Sequence, residues 1–364
     1  MREFPAQPIL TDFAKLRSRS SLPGWVEGPP PLGVENVREG LGLAMSADSS
    51  IHLLGEDILD PYGGAFKVTK GLSEAFPGRV HTTPISEASI VGISTGMSMC
   101  GLKPVVEIMF GDFIALTVDQ VLNHMTKFPA MYGNKVSCPV VVRTPMGGYR
   151  GYGPTHSQSI EKLFLGIPGL VTVAMSPVHD QRLIIRDVFS LNAPVFYIEN
   201  KSLYGQRMIS YENGRIGKFN AVSDYAVFPT LRLRLGNFSE HADATLIVYG
   251  GLVPMALTAA EKVFIEDELL VDVIVPSQIS PMNCEFFAST IGESKSVIVV
   301  EEGTRTCGWG SEVIAALAEH LGPTGVQFSR VSALDSIVPN SIELESQVLP
   351  SSERIVEALR KTTK

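Results

Sequence analysis

The chain has 364 residues, 45% of them hydrophobic and 19% charged, with 38 acidic against 30 basic side chains and a formal charge of −8. That is enough chain for two or three domains with cores of their own, and 33 Gly and 24 Pro lack the bias of a disordered or collagen-like polymer. An acidic chain with no Lys/Arg run excludes a phosphate backbone as its main partner, so no nucleic acid is expected.

Residues 1–34 carry Pro5, Pro8, Pro23 and then Pro29, Pro30 and Pro31, which bar a long regular element and suggest an arm lying on another surface. The N-terminus has no continuous apolar core of a signal peptide, and no apolar run reaches 18 residues, so neither secretion nor a membrane span is expected. The default compartment is the cytoplasm, although the Arg/Ser-containing leader leaves organelle targeting open. Cys100, Cys138, Cys284 and Cys307 have no Cys-x-x-Cys pair and read as reduced thiols.

From Val37 a helical stretch leads into the apolar run Ile51-His52-Leu53-Leu54, which ends at Gly55-Glu56-Asp57. Further apolar runs follow at Val105 to Phe110, Val140 to Val142, Leu170 to Ala174 and Val195 to Ile198. Helical candidates near 88–100, 117–131, 158–164 and 178–190 separate them. Buried runs alternating with helices predict βαβ units and a mainly parallel sheet over 35–205. Residues 206–242 break the rhythm with Gly205, Gly214, Gly217 and the alternating LRLRL, and read as a connecting hairpin or linker. The alternation then restarts over 243–364, predicting a second, smaller α/β domain.

In open α/β sheets, ligands bind beyond the carboxyl ends of the strands. The ends to inspect are Gly55-Glu56-Asp57, Thr83 to Glu87, Phe110 to Phe113, Arg143 to Gly148 and Glu301-Glu302-Gly303. Glu87 opens an otherwise small and apolar helix, where a carboxylate on spacing alone is a dipole or capping partner. Arg143 suits an anionic substrate or a salt bridge between subunits. The Gly147–Gly153 segment has neither the Walker lysine nor a Gly-x-Gly-x-x-Gly order, and reads as a mobile loop. His52, His81, His124, His179, His241 and His320 show no ligand spacing, which argues against a transition metal.

Several ordered blocks carry a resemblance. GEDILDPYGGAFKVTKGL, TPISEASIVGISTGMSMCGLKPVVEIMFGDF, DQVLNHMTK, THSQSIEKLFLGIPGL, APVFYIENKSLYG and VIVVEEGTRTCGWGSE resemble the beta subunit of the thiamine diphosphate-dependent 2-oxo acid dehydrogenases of pyruvate and branched-chain type. The resemblance covers about residues 36–360 and is densest over 52–205. It implies two α/β domains of the transketolase-like superfamily: a thiamine-binding, pyrimidine-type domain with a mainly parallel sheet and a transketolase C-terminal-like domain.

It also implies a division of roles. Thiamine catalysis needs a carbanion on the thiazolium ring, made by the cofactor's own aminopyrimidine once a protein carboxyl stabilises its imino tautomer. Desolvation helps such a carboxyl to keep a proton near neutrality. The resemblance gives that role to Glu87, a place against the aminopyrimidine to Phe113, a second carboxylate near the cofactor to Glu56, and a substrate-entrance imidazole to His156. Glu301 and Glu302 fall in the domain that pairs beta subunits, and read as interface or structural groups.

Magnesium on the diphosphate needs hard oxygen ligands, held by Gly-Asp-Gly and a later Asn-Asn. The chain has neither, so an alpha subunit is expected to supply them in a heterotetramer of two alpha and two beta chains. The expected reaction is decarboxylation of a 2-oxo acid and transfer of the acyl group to a lipoyl domain of an acyltransferase. Alternatives are a carboligase or decarboxylase subunit handing its carbanion to another carbonyl, a split transketolase, and a non-catalytic scaffold subunit. Joint retention of Glu87, Phe113 and His156 argues against the scaffold, and the paucity of basic contacts for a sugar phosphate argues against the transketolase.

Overall fold

A computed structural model of the chain describes residues 29–362 apart from 225, 293 and 324. Most of the proline-rich arm therefore lies outside the described residues. Its last residues are held by the chain's own backbone: Leu32 bridges Arg207, and the Met208 N–H donates to Pro31 O at 2.9 Å. Gly33 opens the first helix, α1 (Gly33–Ala47), where a Cβ would lie 2.3 Å from Leu203 O, so only glycine allows the approach.

The apolar runs form the first sheet as the alternation predicts. It contains β1 (Ile51–Gly55), β2 (Val80–Thr82), β3 (Lys103–Glu107), β4 (Val141–Met146), β5 (Val171–Ala174) and β6 (Val195–Asn200). These strands are parallel in the spatial order β5-β6-β4-β3-β1-β2. Between them run α2 (Leu72–Ala75), α3 (Glu87–Met99), α4 (Phe128–Met131) and α5 (Gln181–Ser190). Asp180 caps α5 by accepting the Arg182 N–H at 3.0 Å. The helix expected over 117–131 is instead a 3-10 turn (Gly111–Thr117), a π-helical turn (Gln120–Met125) and then α4.

Residues 206–242 are more than a linker. They form β7 (Tyr211–Glu212), β8 (Arg215–Ile216), β9 (Phe219–Ser223) and β10 (Thr230–Arg234), an antiparallel extension of the second sheet. LRLRL has the strand period of two: Leu231 and Leu233 enter the core, while Arg232 and Arg234 both pair with Asp272. The parallel part of that sheet comprises β11 (Ala244–Val248), β12 (Val271–Pro276), β14 (Ser296–Thr304) and β15 (Gln327–Ala333). Helices α6 (Val253–Asp267), α7 (Cys284–Ile291), α8 (Trp309–Leu321), α9 (Ile342–Val348) and α10 (Ser352–Thr362) complete the unit.

One short strand crosses between the halves. β13 (Gln278–Ser280) lies antiparallel to β5 and so extends the first sheet with residues of the second half. Trp309, 2% exposed, fixes it by donating Nε1–H to Ile279 O at 3.0 Å. A continuous apolar cluster joins Leu54, Val106 and Phe196 of the first half to Ile247, Phe287 and Trp309 of the second. The two halves thus share a core.

Candidate functional site

The sequence places Glu56 directly after β1 and Glu87 at the first position of α3, and the parallel sheet brings the two chain turns together at one end. Both side chains are 7% exposed. Glu56 is pushed above the ordinary carboxylate range by desolvation first and by the Glu87 and Asp57 charges next, with the Ser86 backbone N–H opposing. Its Oε1 is buried with no hydrogen-bond partner among the described residues. The Glu87 carboxylate likewise takes no hydrogen bond from them. It stands at the positive end of α3, whose apolar residues Ile90 and Val91 are buried beneath it.

Phe113 lies in the 3-10 turn that follows β3, and α3 packs against this turn. Its ring meets His156 edge to face at 5.3 Å, and Phe110 stands against both, 6.0 Å from Phe113 and 4.6 Å from His156. Tyr152 closes the group at 6.3 Å from Phe110. His156 Nδ1 pairs with Thr155 Oγ1 at 2.9 Å. Asp112 ties the two segments together: its Oδ1 accepts from Gln158 N at 3.2 Å and Gln158 Nε2 at 2.8 Å. Its Oδ2 is buried with no partner among the described residues.

The four residues singled out from the sequence therefore fall into two sets that meet through α3. One is a pair of buried carboxylates in which Glu56 Oε1 has no donor among the described residues, the other an aromatic wall with an imidazole. Unpartnered buried acceptors call for a ligand that brings N–H groups, and flat aromatic faces suit a flat heterocycle. The pyrimidine half of thiamine diphosphate has both properties, so the residues present fit it. Among the described residues there is no group of three or more His, Cys, Asp or Glu placed to hold a metal ion.

Other candidates have structural roles. Arg143, 2% exposed, is neither a substrate contact nor a bridge to another subunit. It donates to Glu199 through Nε at 2.6 Å and Nη2 at 2.7 Å, and to Glu107 through Nη1. Glu302 accepts the Gly148 N–H at 2.6 Å and Asn200 Nδ2 at 2.9 Å. Glu301 accepts the Gly310 N–H at 3.0 Å near the start of α8, and burial pushes its carboxyl up to about 7. The glycine-rich loop, expected to be mobile, is tied to the second half instead. Glu345 accepts the Tyr149 and Gly151 N–H groups, each at 3.0 Å, and Tyr149 OH donates to Pro350 O at 2.9 Å.

Sequence reasoning missed Lys201 and Glu345. Lys201 follows β6, and inspecting the polar residues after that run would have found it; no sequence signal marks Glu345. Lys201 is buried beside the aromatic group, donates Nζ–H to His156 O, and lies 5.2 Å from the Phe110 ring centroid.

Comparison with known proteins adds the ancestry. Residues 34–206 match the family model described as transketolase, pyrimidine binding domain, and residues 238–355 match transketolase, C-terminal domain. The beta subunit of the acetoin:2,6-dichlorophenolindophenol oxidoreductase of Bacillus subtilis is 32% identical over 88% of this chain and 93% of its own. The mitochondrial pyruvate dehydrogenase E1 component subunit beta-1 of Arabidopsis thaliana is 31% identical over 96% and 93%. A solved split gene transketolase, described as an inactive beta4 tetramer, has the same fold, with TM-score 0.70 at 18% identity over 91% of this chain and 98% of that one. With both domain models matched and these relatives aligned over nearly their whole length, the chain belongs to the transketolase-like beta subunits of the thiamine diphosphate-dependent 2-oxo acid dehydrogenase family.

Proposed function

We propose that this chain is the pyrimidine-side half of a heteromeric thiamine diphosphate enzyme that cleaves a 2-oxo acid next to its carbonyl and passes the acyl group to a lipoyl domain. The observation that carries the reading is the buried pair Glu56 and Glu87 beside an aromatic wall, with Glu56 Oε1 left without a hydrogen-bond partner among the described residues. When bound, thiamine diphosphate supplies a carbanion equivalent able to attack a carbonyl carbon. Glu87 would hydrogen-bond the pyrimidine ring nitrogen, and the buried side chains around it would keep water away from that bond. Phe113 would pack on the cofactor's ring face, and Glu56 would set the local charge around Glu87. His156, at the edge of the aromatic group, gives or takes a proton at the substrate oxygen.

The alpha subunit supplies the magnesium and diphosphate ligands in this reading. Its docking face is supported by apolar side chains left in solvent beside the site: Ile85 is 82% exposed, Ile93 58% and Leu116 59%. Co-expression with the alpha chain, followed by a 2-oxo acid decarboxylation assay with thiamine diphosphate and magnesium, tests the proposal. Activity only in the heteromer supports it; full activity of the beta chain alone overturns the split site. The same preparation offered acetoin tests a second reading, suggested by two relatives, the acetoin:2,6-dichlorophenolindophenol oxidoreductase beta subunits of Bacillus subtilis and Cupriavidus necator.

A further inference from the structure

Lys201 is a lysine with no solvent-exposed surface, and a buried ammonium is costly unless its donors are satisfied. Its backbone comes straight off β6, where the Lys201 N–H donates to Met146 O at 3.0 Å, so the stem of the side chain starts from a rigid strand end. Its carbonyl accepts Arg150 Nη1 at 3.2 Å. The side chain runs beneath the aromatic group, and Nζ donates to the backbone oxygen of His156. Nζ also lies 5.2 Å from the Phe110 ring centroid and 5.8 Å from that of Tyr152, within the range of cation–π attraction.

These contacts converge on one element. Phe110 is the ring closest to the His156 imidazole, and the His156 carbonyl is the atom that Lys201 grips. The ammonium thus fixes the backbone of the histidine and, through the Phe110 face, the slot in which its ring stands. Asp112 ties the loop at Gln158, two residues on, and the His156 N–H donates to Gly153 O at 3.2 Å within the loop itself, so the tie at the His156 carbonyl is the one from Lys201.

We infer that Lys201 is a positioning residue that sets the placement of His156 from inside the protein, and that its positive charge holds the loop at the His156 carbonyl. The inference rests on the proposed role of His156 for its catalytic consequence, but not for its structural one. Charged neighbours face the ammonium on several sides. Asp112, Glu302 and Glu345 favour the charged form and Arg150 opposes it, while desolvation, the largest influence, lowers the lysine to about 8. The grip of Lys201 on the His156 carbonyl therefore weakens as pH rises through that value, because a neutral amine is the poorer donor.

The test is hydrogen–deuterium exchange of the full-length chain, alone and with its alpha partner, on wild type, K201M and K201R. Corrected for intrinsic rates, exchange over residues 153–158 should rise about tenfold or more in K201M while β4 and β6 stay protected. In wild type it should rise between pH 7 and 9, and in K201R, whose guanidinium keeps its proton, it should not. In the active heteromer K201M should lower kcat by about 10- to 100-fold with little change in KM. Unaltered loop exchange in a folded K201M, or an equal pH response in wild type and K201R, overturns the inference. If K201M does not fold, the comparison of wild type with K201R decides alone. Exchange that behaves as expected while no 2-oxo acid is turned over would reject the proposed reaction and leave the positioning role standing.

Discussion

Two sets of buried carboxylates sit near the strand ends of this molecule, and they differ in what they hold. Glu302 and Glu345 come from the second half, and each accepts two donors in the first half or in the glycine-rich loop. Glu107 and Glu199 share the Arg143 guanidinium. Glu56 and Glu87, by contrast, have no cationic partner among the described residues; the Ser86 backbone N–H acts on Glu56, and Glu56 Oε1 is buried without a donor. The first groups have their acceptors taken up by the chain itself, whereas Glu56 keeps a buried oxygen that a ligand's donor could meet. Such an unmet acceptor marks a site more specifically than burial does.

This contrast is open to direct attack. The largest expected effect is on activity: E87Q in the heteromer should reduce turnover about 10²- to 10⁴-fold. Its urea midpoint should stay close to wild type, since Gln is nearly isosteric with Glu; full activity in E87Q would remove Glu87 from the mechanism. R143M should act the opposite way on stability. It strands Glu107 and Glu199 in the interior and should cost about 3–5 kcal/mol in urea unfolding. A loss below about 1 kcal/mol would mean that the triad is not balanced as described.

Glu301 gives a pH signature intermediate between the two classes. Its ordinary value is 4.5 and burial raises it to about 7 in the folded chain, so the unfolded chain releases the proton first as pH rises. Stability should therefore fall between about pH 4.5 and 7 and stay lowered above, by roughly 2–3 kcal/mol from this group. E301Q keeps an acceptor for the Gly310 N–H and should flatten that part of the urea-midpoint profile. The smallest effect is expected from E345A, about 1–3 kcal/mol for two orphaned loop N–H groups, with faster proteolysis at 148–153 as the local readout. Unchanged proteolysis would show that the loop is held by other contacts.

The strands of the parallel sheets were legible because burial on both faces demands continuous Val/Ile/Leu runs, as in Val140 to Val142 and Ser296 to Val300. The meander β7–β10 was not, because its strands are two to five residues long and one face is built on arginines: Arg234 is fully buried yet reads as surface until Asp272 is known to face it. β13 has three residues and no apolar run at all. The placement of Glu56 and Glu87 followed from their positions after β1 and before α3, which the sequence displays. Which other carboxylates are satisfied was invisible, since the donors to Glu302 and Glu345 lie 102 to 196 residues away in the chain.

The crossing strand has a consequence for how the chain is made. The parallel first sheet ends at β5, and its outer edge is covered only when residues 278–280 arrive. On a ribosome the first half emerges with that edge bare, more than 100 residues before its cover, so the nascent domain is open to pairing with other chains. A gene cut at residue 206 would make the same species permanent. Expression of residues 29–206 alone is expected to give aggregates that a covalently linked or co-expressed second half prevents, which makes the length of the polypeptide part of its protection against misassembly.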